Sequence, residues 1–119
     1  MENEVISDID LYNQGLEYFN QKEYQKSIRK LSNAIDLNAN DPNYYRLRGW
    51  AYYCLDNNDK AIEDATKAID LKSDEPDHYN LRGWAYYCLD NNDKAIEDAI
   101  KAIDLNPDEP IYYELKQDS

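Results

Sequence analysis

The sequence predicts an all-α fold, an α-solenoid of three stacked helix-turn-helix hairpins followed by a short C-terminal helix. Three observations support this prediction: regularly spaced glycines and prolines, near-identical units, and helical periodicity inside each unit. The glycines and one set of prolines each recur every 34 residues: Gly15, Gly49, Gly83, Pro42, Pro76 and Pro110. A fixed period of this length is the signature of stacked structural repeats.

The repeats divide a single domain, residues 1–119, into three units and a remnant. The units are 8–41, 42–75 and 76–109, and a partial helix is expected over 110–117. The second and third units are identical at 28 of 34 positions, whereas the first matches the second at 8. Such near-identity fits either a recent duplication or an engineered array.

The first half of each unit predicts a helix that is covered on several sides. Asp41 is a good N-cap residue, and Pro42 suits the first helical turn. The stretch from Tyr45 to Leu55 is predicted as helix A. At 3.6 residues per turn its apolar side chains point all round, so neighbouring helices must cover it.

The second half of each unit predicts an amphipathic helix B, from Lys60 to Leu71, after the polar turn 56–59. Its apolar residues form one stripe: Ala61, Ile62, Ala65, Ala68 and Ile69. The opposite face carries charges: Lys60, Glu63, Asp64, Lys67 and Asp70. One hairpin cannot cover its own helix A, so the hairpins are expected to stack with A helices inside and B helices outside.

The charge balance excludes some partners. The chain carries 13 Lys and Arg against 25 Asp and Glu, a net charge of −12. Such a charge disfavours binding to nucleic acid or to anionic membranes. The N-terminus is acidic and the apolar runs are short, so we expect a cytoplasmic protein.

Cys54 and Cys88 occupy one repeated position on successive A helices. These helices are too far apart for an unstrained disulfide, so we expect both cysteines to be free thiols.

No group of residues predicts catalysis. The one histidine, His78, stands beside a helix start without a cysteine partner at metal-ligand spacing, and is expected to be exposed and structural. No glycine-rich loop could hold a phosphate. The many carboxylates are typical of a solvated helix face. We therefore expect a protein that is not an enzyme and takes no metal and no cofactor.

The units resemble the tetratricopeptide repeat (TPR) family over residues 8 to about 117. In that family helix A carries an aromatic residue, then a pair ending in glycine, then tyrosine. The second and third units match these positions with Tyr45, Arg48, Gly49 and Tyr52 and with Tyr79, Arg82, Gly83 and Tyr86. In the first unit the same positions hold Leu11, Gln14, Gly15 and Tyr18. The glycine allows helices A and B to approach closely. The chain departs from the family at Asn58, Asn92, Ala65 and Ala99, where a large side chain is common.

The resemblance implies a concave groove, lined by helix A, that binds an extended or helical segment of a partner protein. The residues expected to line it are Tyr12, Leu16, Phe19, Arg46, Trp50, Tyr53, Asn80, Trp84 and Tyr87. Large rigid aromatic rings anchor many interfaces. The alternative is that the rings only pack between neighbouring A helices.

The resemblance also restricts the partner. Some members hold a terminal carboxylate with lysine, asparagine and arginine, whereas the aligned positions here are Tyr12, Leu16, Leu47, Asp77 and Leu81. An acidic terminal motif is therefore a poor candidate, and a basic or apolar segment is favoured, with Arg46 able to pair one acidic group. Arg48 and Arg82 are expected to form internal pairs with Asp64 and Asp98.

A second functional hypothesis is homo-oligomerisation through repeat ends or through the aromatic face. The chain ends after the start of a fourth helix A, with Tyr113 in the aromatic position. Solenoid ends require a polar cover, and an incompletely covered end could stack on another chain.

Overall fold

The computed structural model describes residues 5–109 and 113–116. Its six long helices are α1 (Asp8–Asn20), α2 (Tyr24–Leu37), α3 (Pro42–Cys54), α4 (Asn58–Leu71), α5 (Pro76–Cys88) and α6 (Asn92–Leu105). Residues 113–116 are helical as well; residues 110–112 and 117 of the predicted last helix lie outside the described part. The all-α prediction is confirmed.

Each hairpin pairs an odd-numbered A helix with the B helix that follows it. Among the described helices, α1 contacts α3 and α3 contacts α5, whereas the B helices contact A helices only. A helices crowded on one side and B helices splayed on the other produce a curved stack. Its concave side therefore consists of α1, α3 and α5.

Local sequence signals set the helix starts. The Asp41 carboxylate accepts a hydrogen bond from the Asn43 backbone N–H at 2.9 Å, and Pro42 is the first helical residue. The predicted N-cap is thus confirmed, and α3 begins three residues before the expected Tyr45. Helix α4 begins at Asn58, two residues earlier than expected, because Asn57 supplies its cap.

The space beside each glycine is filled by a leucine, but from different helices. A Cβ atom on Gly15 would lie 2.8 Å from Cγ of Leu31, which belongs to the same hairpin. In the second hairpin the leucine comes from the next helix, because a Cβ atom on Gly49 would lie 2.7 Å from Cδ2 of Leu81. Leu115 has the same place beside Gly83. The small residues at positions 65 and 99 are therefore compensated by the following helix.

Buried arginines connect the hairpins. Arg48 donates two hydrogen bonds to the Asp64 carboxylate, at 2.9 and 2.8 Å, and a third to the Ser32 hydroxyl of the preceding hairpin at 3.1 Å. Arg82 repeats this arrangement with Asp98. The predicted internal pairs are confirmed. The assignment of Asp64 to the solvent face is wrong, since this side chain must turn inward to meet the arginine.

The prediction that His78 is exposed is wrong, because its side chain is fully buried. His78 is the third residue of α5, and Tyr44 is the equivalent residue of α3. Both side chains are buried against the preceding hairpin. The Tyr44 hydroxyl donates to Asp8 at 2.6 Å. One repeat later Pro42 stands in place of Asp8, and neither ring nitrogen of His78 has a hydrogen-bond partner among the described residues.

This burial predicts a pH dependence of stability. Burial, followed by the positive charges of Arg46 and Lys72, lowers the pKa of His78 to about 4. The unfolded chain, with an ordinary histidine pKa, binds a proton at a higher pH than the folded chain. The free energy of unfolding should therefore fall as the pH falls from about 6.5 to about 4, by about 1–2 kcal/mol between pH 7 and pH 5.

Urea denaturation of the wild type and of His78→Phe at both pH values would measure this effect. The phenylalanine variant should lose less stability on acidification, since its ring cannot take up a proton. Equal losses in the two proteins would contradict the assignment.

Candidate functional site

The predicted site residues lie on the three A helices, which line the concave side of the stack. Their side chains are half-buried, with one exception: Asn80 is only 4% exposed and presents almost no surface to a partner. This asparagine was expected to line the groove, but its short side chain is covered, whereas the longer Arg46, at the equivalent position of α3, stays half-buried.

The aromatic rings of the second and third repeats form two equivalent pairs. The rings of Trp50 and Tyr53 meet edge to face, with centroids 5.5 Å apart, and those of Trp84 and Tyr87 do so at 5.8 Å. Residues three apart on a helix share a face, which explains the contact. Each pair forms a ridge along its own A helix.

These rings also contact the core. Trp50 and Tyr53 pack against Leu81 and Ala85 of the next A helix. Trp84 and Tyr87 pack against a cluster that contains Leu115. One side of each ring is therefore covered by the protein, and the half-buried rings retain surface toward the concave side. The core contacts hold the rings in place without removing them from solvent.

The first repeat presents a different surface. Tyr12 stacks on Tyr44 of the second repeat, with ring centroids 5.2 Å apart. Phe19 meets Tyr24 edge to face at 5.4 Å. Leu16, between them on α1, is half-buried. This end of the groove is apolar and has no indole ring.

A charged pair occupies the groove between the second and third repeats. Nε of Arg46 lies 3.8 Å from the Asp77 carboxylate, and both side chains remain partly exposed. Arg46 was expected to be able to pair with an acidic group of a partner, but Asp77 of the same chain already provides a carboxylate beside it. Asp77 was not among the residues expected to line the groove, although it is one of the few positions that differ between the second and third units.

The exposed thiols lie beside tyrosine hydroxyls. Sγ of Cys88 is 3.8 Å from the hydroxyl oxygen of Tyr53, and both Cys54 and Cys88 are free, as expected. Burial, assisted by this contact, raises the pKa of Tyr53 to about 12. The phenol is therefore neutral at physiological pH and acts as a hydrogen-bonding group.

The described residues do not assemble an ion site. Over 5–109 and 113–116, no three His, Cys, Asp or Glu side chains are grouped so that they could hold a metal ion. No helix in this part of the chain has both the length and the apolar character needed to cross a membrane. The positions aligned with a carboxylate-binding site include Leu47 and Leu81, both buried and without polar side-chain atoms.

Comparisons with known proteins agree with this architecture. A family model described as TPR repeat matches residues 15–56, and one described as tetratricopeptide repeat matches 42–75 and 77–109. No curated protein sequence is significantly similar to the chain.

Solved TPR domains superpose closely. The first TPR domain of Spaghetti (RPAP3), bound to the HSP90 peptide SRMEEVD, gives a TM-score of 0.92 at 23% identity, covering 94% of this chain and 89% of that one. The Arabidopsis OM64 TPR domain gives 0.92 at 24%, covering 93% and 92%. The Aspergillus fumigatus Sgt2 TPR domain gives 0.89 at 20%, covering 98% and 82%. The chain belongs to the tetratricopeptide repeat family.

Proposed function

We propose that the chain is a non-enzymatic adaptor that binds a peptide or helical segment of a partner protein in its concave groove. The observation that carries this proposal is the pair of tryptophan–tyrosine ridges on α3 and α5. Core contacts fix one side of each ring, so Trp50 and Trp84 lose little side-chain entropy on binding. Half-buried aromatic rings held in this way are typical interface anchors.

The groove favours an apolar or basic segment. Its first-repeat end is apolar, and Asp77 offers a carboxylate that a lysine or arginine of the partner could share with Arg46. A chain with a net charge of −12 attracts basic partners. The buried leucines at 47 and 81 supply no donors for a terminal carboxylate. The cytoplasmic location expected from the sequence stays a prediction.

Peptides selected from a random library against the wild-type chain would test the proposal. The only two tryptophans lie in the groove, so a bound peptide should shift their fluorescence emission. Replacing both tryptophans with leucine retains part of the packing. The affinity for the selected peptide, measured with a fluorescent label on the peptide, should then fall at least tenfold. The control is Leu37→Ala, which removes a 61% exposed apolar side chain outside the groove.

Three results would contradict the proposal: unchanged tryptophan emission, equal affinity of the tryptophan variant when circular dichroism shows it folded, or an equal loss in the control. The peptide SRMEEVD, which is bound in the similar Spaghetti (RPAP3) structure, should not bind in the groove and should leave the tryptophan emission unchanged. A shift of the emission by this peptide would show that the groove holds a terminal carboxylate without the expected donors.

Homo-oligomerisation, the other hypothesis, receives less support from the repeat ends. At the C-terminal end Leu115 already fills the space beside Gly83. At the N-terminal end the exposed Asn13 stands where Leu47 and Leu81 pack in the later repeats. Light scattering should therefore give a mass near 14.0 kDa at all concentrations. A mass that rises with concentration would make self-assembly the leading function.

A further inference from the structure

The outer face of the first hairpin has the opposite charge from the other two. Two exposed positions are basic where the second and third repeats are acidic: Lys22 against Asp56 and Asp90, and Arg29 against Glu63 and Glu97. The half-buried Lys30 replaces the buried Asp64 and Asp98. Lys26, at the same position as Lys60 and Lys94, completes the set. We call Lys22, Lys26, Arg29 and Lys30 the basic stripe. It lies on α2 and the turn before it.

The basic residues do not serve the fold as their acidic counterparts do. Lys22 has a φ of 63°, and the equivalent Asp56 has 61°. Aspartate tolerates this left-handed conformation better than lysine does. Asp64 receives the Arg48 hydrogen bonds, but Lys30 stands in its place and Gln14 replaces the arginine. Local folding therefore favours aspartate at position 22, whereas at position 30 the first repeat has no arginine with which an acidic residue could pair.

Three of the four stripe residues lack an ion-pair partner. Lys26 lies 3.2 Å from Glu23 and over the Tyr18 ring, but in the described part of the chain no carboxylate lies within ion-pair distance of Lys22, Arg29 or Lys30. Positive charges at the first turn of α2 also oppose the helix dipole. Helices α4 and α6 carry the same lysine but add an aspartate in that turn, which α2 lacks. Negative charge from outside the chain would relieve both effects.

A recess with two apolar lining residues adjoins the stripe. Tyr24 and Leu55, which is 37% exposed, line it together with four polar residues, Lys22, Glu23, Gln25 and Lys26. The nine residues from Lys22 to Lys30, most of them in α2, span about 12 Å at the helical rise per residue, which about four residues of an extended segment would cover. A bulky side chain of such a segment could enter the recess while its carboxylates meet the stripe.

We propose that the basic stripe is a second binding surface, on the convex side, for a short acidic segment of another protein that carries one apolar anchor. The strongly negative remainder of the chain, including the acidic faces of α4 and α6, would repel a long polyanion such as duplex DNA. A short segment confined to α2 avoids that repulsion. The surface is separate from the concave groove and does not depend on it.

A fluorescein-labelled peptide of six glutamates with a central leucine is the probe. Anisotropy at low salt should detect binding to the wild type, and binding should weaken as salt is added. The variant Lys22→Asp with Arg29→Glu introduces the residues that the other repeats carry at these positions, so it should fold, and it should bind at least tenfold more weakly. The control Lys67→Glu with Lys101→Glu changes the net charge equally and should bind within about threefold of wild type. Tryptophan emission should not change, which separates this surface from the groove.

Four results would overturn the proposal: no binding to the wild type at millimolar protein, an equal loss in the control, tighter binding of duplex DNA or phosphatidylserine vesicles than of the peptide, or salt-sensitive self-association that the stripe variant abolishes. The last result would identify the occupant as the acidic third repeat of another copy.

Discussion

Replacing Leu81 by alanine is expected to lower the free energy of unfolding by about 3 kcal/mol. The side chain is fully buried and lies against Gly49, where it fills the space left by the small residue Ala65. Its removal opens a cavity at the junction of the second and third hairpins, which the surrounding backbone can close only in part. Urea denaturation followed by circular dichroism would measure the loss.

The first hairpin suggests how to restore this stability. There Leu31, at the position of Ala65, fills the space beside Gly15 from within its own hairpin. Adding Ala65→Leu to the Leu81→Ala variant should therefore recover at least half of the lost stability. In the wild-type background the same substitution should destabilise by about 1–2 kcal/mol, because the space is already occupied.

The double-mutant cycle separates this filling effect from a general gain in apolar area. A favourable coupling of about 3 kcal/mol is expected between positions 65 and 81, whereas Leu37→Ala, at an exposed site, should change stability by less than about 0.5 kcal/mol. Additive effects at 65 and 81 would mean that the two side chains do not share one space.

The 34-residue period predicts the hairpins because it combines turn residues with two helical patterns in every unit. The same period could not identify what fills the space beside each glycine. In the second and third units the filling residue comes from the next helix, and only the stacked structure brings Leu81 to Gly49. Within one unit, Ala65 is too small to fill the space beside Gly49, and no other residue of that unit takes its place.

The direction of a groove side chain was predictable from its position on the helix. Its burial was not predictable where a neighbouring repeat contacts it. Trp50 and Trp84 lie on the predicted face because their spacing along the helix fixes their direction. The burial of His78 and Asn80 depends instead on the surface of the preceding hairpin. The pairing of Arg46 with Asp77 likewise joins two units. Sequence patterns within one unit contain no information about such contacts.

Removing the Asp64 carboxylate is the second substitution expected to have a large effect. Asp64→Ala should destabilise the chain by about 3 kcal/mol, because it leaves the largely buried Arg48 guanidinium with only the Ser32 hydroxyl as a hydrogen-bond partner and with no opposite charge. Asp98→Ala should cost a similar amount, since Arg82 and Asp98 have the same geometry in the third repeat. Thermal and urea denaturation would give both values.

The expected loss of stability comes from an unpaired charge and not from lost packing, and two further variants separate these causes. Replacing both partners, Arg48→Met with Asp64→Leu, removes the charge together with its partner and should cost less than Asp64→Ala alone. Asp70→Ala, on the exposed side of α4, should change stability by less than about 0.5 kcal/mol. If the double variant were less stable than Asp64→Ala, the arginine would contribute mainly through contacts that do not involve the carboxylate, such as its bond to Ser32 and its position over the Tyr45 ring.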